Sequence, residues 1–228
     1  MITKVIKIDS SNIDIEKLKE AAELLRTGSV VAIPTETVYG LGANALNPDA
    51  VKKIYKAKGR PSDNPLIVHI AEKEKVYEFA EDISEKAVIL MDKLWPGPLT
   101  LVLKKSPVIP EIITAGLDTV AIRMPGHPVA RELIRLAGVP VAAPSANTSG
   151  RPSTTTAQHV LDDMAGKIEM VVDAGVSQVG LESTVLDVSV DPPVLLRPGG
   201  ITPSQIEKLI GPIDMDKTIL GKISSDSI

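Results

Sequence analysis

Thr35 and Thr37, Lys58 and Arg60, Thr119 and Arg123, Ser145 and Asn147, Ser149 to Ser153, Ser183 and Arg197 form a dispersed set of cations and hydroxyls. They sit largely in segments rich in Pro and Gly. Such a set suits an anionic ligand, because a guanidinium binds phosphate or carboxylate in bidentate fashion and hydroxyls complete the shell. Competing chemistries find little support. The chain has no Cys, which removes thiol nucleophiles, disulfide scaffolds and cysteine zinc sites. His69, His127 and His159 are too far apart in sequence for a local His-rich metal site. Gly40-Leu-Gly42-Ala-Asn-Ala45 begins like a dinucleotide-binding loop but lacks the third Gly, and no helix starts directly after it. The phosphate-loop and serine-elbow signatures are absent too.

Strand alternation sharpens part of the set. In Thr119-Val-Ala-Ile-Arg-Met124, Thr119, Ala121 and Arg123 share one face, a polar pair flanking a small residue on which a ligand can lie. Arg123 on a strand whose other face is apolar needs an anionic partner. His69 interrupts the apolar strand Leu66-Ile-Val-His-Ile70 and, taken alone, reads as a satisfied core or sheet-edge histidine. Thr156 reads as a helix cap, and Lys52, Lys53 and Lys56 as a solvated helix face.

The elements that must position these residues alternate throughout. Strands are expected at Val5–Ile8, Ser29–Ile33, Leu66–Ile70, Thr100–Leu103, Thr119–Met124, Val141–Ala143 and Met170–Asp173. Ile15, Leu18, Ala22 and Leu25 mark an amphipathic helix before Gly28, and Asn47-Pro48-Asp49 opens another through Lys58. Further helices are read near Ser84–Leu94, Pro128–Ala137 and Thr156–Met164. Ser183–Val188 and Val194–Arg197 read as an antiparallel pair around a short Asp-Pro-Pro turn. Thr202-Pro-Ser-Gln205 is a capping box that starts the last helix, which ends before Gly211. The expected fold is therefore α/β: a single domain over 1–211 with a twisted mixed parallel and antiparallel sheet flanked by helices. Residues 212–228 read as a polar tail or the start of a linker.

Composition agrees with a globular cytoplasmic protein: 228 residues, 43% hydrophobic, 24% charged, with no apolar run long enough to span a membrane and no signal-peptide pattern. A net charge of -4, with one Trp, three Tyr and one Phe, gives no global attraction to nucleic acid and no stacking platform.

Several stretches in order carry a family resemblance. They are Pro34-Thr-Glu-Thr-Val-Tyr-Gly-Leu-Gly42, Lys58-Gly-Arg-Pro61 with Asn64-Pro-Leu66, and Trp95-Pro-Gly-Pro-Leu-Thr100. Val120-Ala-Ile-Arg-Met-Pro125, Ala143-Pro-Ser-Ala-Asn147 with Ser149-Gly150, Glu182-Ser-Thr-Val185 and Leu196-Arg-Pro-Gly-Gly200 continue the series. Together they resemble the YrdC-like threonylcarbamoyl-AMP synthases, over about residues 12 to 210. The resemblance implies a YrdC-like fold and this reaction: L-threonine, bicarbonate and ATP give L-threonylcarbamoyl-AMP, pyrophosphate and water, for the threonylcarbamoyladenosine modification of tRNA.

The resemblance also implies roles for particular residues. Thr37, His69, Arg123 and Ser183 match the threonine-binding positions, with Arg123 pairing the threonine carboxylate. Arg60, Asn64, Thr119, Ala143, Ser145, Ser153 and Arg197 match the ATP-binding positions. Lys58, from the same motif as Arg60, is expected to face the phosphates, and these two are the expected catalytic residues. Mg²⁺ is expected to be held mainly by the phosphates, with no protein metal ligand assigned. tRNA or downstream tRNA-modification proteins are the implied partners, and no membrane. Longer members add a second domain after a linker; this chain reaches Ile228. The alternative reading is a non-catalytic RNA-binding or ribosome-assembly factor, using a basic groove of Lys58, Arg60, Arg123, Arg151 and Arg197.

Overall fold

The computed structural model describes residues 1–219. In chain order the strands are β1 (Lys4–Lys7), β2 (Val31–Ile33), β3 (Gly40–Asn44), β4 (Ile67–His69), β5 (Ala80–Glu81) and β6 (Leu99–Lys105). They continue with β7 (Thr119–Arg123), β8 (Val141–Ala142), β9 (Met170–Asp173), β10 (Thr184–Asp187), β11 (Val194–Arg197) and β12 (Asp214–Met215). The helices are α1 (Ile15–Arg26), α2 (Pro48–Lys58), α3 (Val76–Phe79), α4 (Glu85–Leu94) and α5 (Glu111–Thr114). After them come α6 (Pro128–Ala137), α7 (Ala157–Met164) and α8 (Pro203–Ile210). Among the described residues no helix is long and apolar enough to cross a membrane.

All but β5 line up in the order β1-β9-β2-β3-β8-β4-β7-β6-β10-β11-β12, and β5 pairs with β6. Parallel pairs (β1–β9, β2–β9, β4–β7, β6–β10, β11–β12) mix with antiparallel ones (β2–β3, β3–β8, β4–β8, β6–β7). The mixed sheet expected from the sequence is therefore present, including the antiparallel β10–β11 pair. Alternation divides the core between its faces. Val31, Ile33, Val141, Met170 and Val172 pack on one side with Leu18, Leu25 and Leu133 of α1 and α6. Ala32, Leu41, Ala142 and Val171 point the other way, toward Ile54, Leu90 and Val160 of α2, α4 and α7.

Local signals set the helix ends. Asn47 caps α2 by accepting from the N–H groups of Asp49 and Ala50, and Gly59 ends it in the left-handed region at φ 66°. Thr156 caps α7, and Thr202 with Gln205 forms the capping box of α8.

Two segments depart from the sequence reading. The Gly-rich stretch after Pro34, for which no strand is expected, contains the central strand β3. A Cβ on Gly42 would lie 3.0 Å from the Val31 carbonyl oxygen and 3.1 Å from Val141 Cγ1, so glycine serves close packing there. The segment read as a polar tail starts as part of the sheet: β12 pairs in parallel with β11, and Ile213 and Met215 pack against the core. Residues 220–228 of that segment lie outside the described residues.

Candidate active site

A pocket of about 160 Å³ opens where β4 and β7 end, closed in by the loop between β2 and β3, the loop after β8 and the start of β10. Parallel pairing sets His69 directly beside Arg123, and the β10–β11 pair sets Arg197 beside Val185, next to Ser183. Of the residues expected from the sequence, Thr37, Arg60, His69, Arg123, Ala143, Ser145, Ser183 and Arg197 line this one pocket. A larger cleft of about 250 Å³ near Phe79 and Ile134 holds none of them. Its Arg135 is already paired with Glu132 and Glu72.

Arg123 is 4% exposed and makes three protein contacts. Its Nε donates to the Gly97 carbonyl at 3.2 Å, Nη1 to Thr37 Oγ1 at 3.0 Å, and Nη2 to Glu36 Oε1 at 2.6 Å. The anionic partner that a strand arginine demands is thus Glu36, a residue the sequence reading did not single out. Burial alone would raise the Glu36 carboxyl, but the guanidinium and the Gly126 N–H outweigh it and hold the group below the usual carboxylate range. The pair is ionised. The signal was present: Glu36 is the only acid between Gly28 and Asp49.

His69 is buried, and Nδ1 lies 3.2 Å from the Ile67 carbonyl. A carbonyl can only accept, so Nδ1 carries the proton. Burial first, then the Arg123 charge, push this imidazole down to about 3, so it stays neutral under working conditions. Ser183 Oγ lies 2.8 Å from Thr100 Oγ1 and accepts from Arg197 Nη2 at 3.1 Å, while Arg197 Nε donates to the Ser183 carbonyl at 3.0 Å. Glu182, also not anticipated, lines the pocket with one oxygen 3.5 Å from Arg197 and accepts from Ser153 Oγ at 2.9 Å. Arg60 differs from the other arginines. Its guanidinium sits 5.4 Å from the centre of the Tyr55 ring, and its buried Nε has no partner among the described residues.

Four expected residues do not line the pocket. Lys58 is 2% exposed, and its ammonium donates to the Ser145 and Asn147 carbonyls rather than facing the cavity. A buried ammonium requires acceptors, and these two carbonyls supply them. Burial, then the Arg60 charge, lower this lysine to about 8. Lys58 braces the loop that presents Ser145. Ser153 touches the pocket only through Glu182. Asn64 is exposed on the loop after Arg60, and Thr119 lies at the far end of β7, opposite Lys104. At the rise of a strand, Thr119 is about 13 Å from Arg123.

A sheet with helices on both faces and a small pocket of arginines, hydroxyls and a neutral histidine defines an α/β domain suited to anionic and zwitterionic small molecules. The chain belongs to the Sua5/YciO/YrdC family, whose family model, described as telomere recombination, matches residues 23–199. It is 57% identical over 206 residues to the threonylcarbamoyl-AMP synthase of Pyrococcus abyssi, covering 90% of this chain and 61% of that protein. It is 60% identical over 202 residues to the threonylcarbamoyl-AMP synthase of Bacillus subtilis, covering 88% and 58%. The solved structure of Pyrococcus abyssi Sua5 complexed with L-threonine superposes with a TM-score of 0.94 at 54% identity, over 96% of this chain and 64% of that one. The chain thus spans about three fifths of the length of these curated relatives.

Proposed function

We propose that this chain makes L-threonylcarbamoyl-AMP from L-threonine, bicarbonate and ATP, releasing pyrophosphate and water, for the threonylcarbamoyladenosine modification of tRNA. The observation that carries this reading is the meeting of Thr37, His69, Arg123 and Ser183 with Arg60, Ser145 and Arg197 in one pocket. In the proposed reaction the threonine amine attacks the bicarbonate carbon: the C–N bond forms, a C–O bond breaks, and that oxygen leaves as water with a proton given up by the nitrogen. The resulting N-carboxylate attacks the α-phosphorus, and pyrophosphate leaves. No protein nucleophile is needed. The chain's task is to gather anions and hold them in line, which is what charged and hydroxyl donors in a partly closed pocket do.

Arg123 takes the threonine carboxylate through N–H groups left over from its protein contacts. Arg60 and Arg197 face the phosphates, and Lys58 supports that end by fixing the loop carrying Ser145. Among the described residues no group of three or more His, Asp or Glu could hold a metal ion. A Mg²⁺ ion would be bound chiefly by the phosphates, with Glu182 the carboxylate lining the pocket, and would help neutralise them. tRNA-modification proteins would consume the product, and the use of ATP and tRNA argues for a cytoplasmic reaction.

The basic-groove alternative fares less well. Arg123 is paired with Glu36, Arg151 with Asp163 and Arg197 with Glu182, and Lys58 is turned onto carbonyls. Among the described residues Arg60 alone of the five has no acid or carbonyl partner, and one such cation is too little to track a nucleic-acid backbone. The test is pyrophosphate release from ATP with threonine and bicarbonate supplied or omitted in turn. Release that depends on both supports the proposal; release independent of either overturns it.

A further inference from the structure

Glu36 does not line the pocket, yet its carboxylate offsets the charge of the pocket's most buried cation. A guanidinium has five donors. Arg123 commits one to Gly97, one to Thr37 and one to Glu36, which leaves one N–H on each terminal nitrogen. Glu36 is itself locked: its second oxygen accepts from the His127 N–H at 3.3 Å, and its side chain is 12% exposed. Gly126 allows this fit, because a Cβ there would come within 3.3 Å of the carboxyl carbon.

The neighbouring hydroxyls can be oriented from their partners. Thr35 Oγ1 lies 2.6 Å from the Val38 carbonyl, which only accepts, so Thr35 donates its proton there. In the 2.9 Å contact between the two threonines, Thr37 must then be the donor. Thr37 Oγ1 accepts from Arg123 and keeps one lone pair. His69, protonated on Nδ1, offers Nε2 as an acceptor. The subsite therefore presents donors from Arg123, acceptors from Thr37 and His69, and no net charge.

We propose that Glu36 is a positioning residue that makes this subsite select a zwitterionic hydroxy amino acid over a simple carboxylate; the inference rests on the threonine reading above. A zwitterion brings one carboxylate, one ammonium and no net charge, matching the presented groups. A carboxylate without an amine adds an uncompensated negative charge beside Glu36 and leaves an acceptor unused. Remove the Glu36 charge and Arg123 becomes a buried unpaired cation that any small anion can satisfy. Thr35 supports the same selection by holding the Thr37 proton away from the ligand.

The test is calorimetric titration with L-threonine and with 3-hydroxybutyrate, which is threonine without its amine. The native chain should prefer threonine, and acetate should not compete with it at comparable concentration. Glu36→Gln keeps the backbone link in which the Val179 N–H donates to the Glu36 carbonyl. It should bind threonine more weakly and 3-hydroxybutyrate more tightly, so that selectivity falls roughly tenfold or more. Glu36→Asp, which keeps the charge, should restore most of that selectivity even where overall affinity drops. Parallel weakening of both ligands in Glu36→Gln would reduce Glu36 to a structural residue and overturn the proposal. If Glu36→Gln does not fold, effective competition by acetate in the native chain overturns it, and its absence together with selectivity in Glu36→Asp supports it. Failure of the native chain to bind threonine at all would remove the functional reading and this inference with it.

Discussion

In Arg60→Ala the guanidinium is lost from the pocket while the backbone stays anchored, because the Arg60 N–H donates to the Tyr55 carbonyl at 3.2 Å. What the fold loses is the stacking over Tyr55, worth about 0.5–1 kcal/mol at a partly exposed site. Part of that is recovered, because the substitution also removes a buried Nε that has no partner. Unfolding free energy should therefore change by less than about 1 kcal/mol. A charge-assisted contact to phosphate is worth about 1.5–3 kcal/mol, which predicts ATP binding weaker by roughly 10- to 150-fold. Titration calorimetry with ATP, alongside urea unfolding followed by circular dichroism, reads both quantities on the same sample. Unchanged nucleotide affinity would take Arg60 out of the phosphate site. Destabilisation above about 2 kcal/mol would show that its role in the fold was misjudged.

Lys58→Met should behave in the opposite way, costing about 2–4 kcal/mol of stability in urea because the Ser145 and Asn147 carbonyls lose their donor. His69 titrates at about 3 in the folded state against 6.5 for an unperturbed imidazole, so the unfolded chain binds more protons between those values and stability falls as pH drops through that window. Between pH 6.5 and 5 native stability should fall by about 1.6 kcal/mol more than that of His69→Leu, measured by urea unfolding at each pH. Arg123→Ala should abolish threonine binding and leave ATP binding largely intact. It should also destabilise the fold by about 3–5 kcal/mol, because the Glu36 charge stays buried without its partner. Serine, which keeps the hydroxyl, should replace threonine better than valine in calorimetric titration, and valine binding as tightly as threonine would contradict a polar side-chain contact.

Much of the architecture was legible in the linear sequence, because the signals that set it are carried by adjacent residues. Asn47, Pro48 and Gly59 mark both ends of α2, and Thr202 with Gln205 starts α8. Period-two alternation placed Thr119, Ala121 and Arg123 on one face. The need of a strand arginine for an anion was also foreseeable from burial physics alone. Its identity was not. Glu36 lies 87 residues from Arg123, and only the packing of the β2–β3 loop over the end of β7 brings the carboxylate to the guanidinium. Lys58 carries the same lesson, since nothing local announces that the carbonyls 87 and 89 residues onward will accept its hydrogen bonds. β3 escaped notice because its glycines read as loop residues, whereas their purpose is the close approach of Val31 and Val141. Residue type and spacing determine which groups can bind an anion. Which of them remain free to do so depends on the partners that a buried charge must find, and those are chosen by tertiary contacts between segments far apart in sequence.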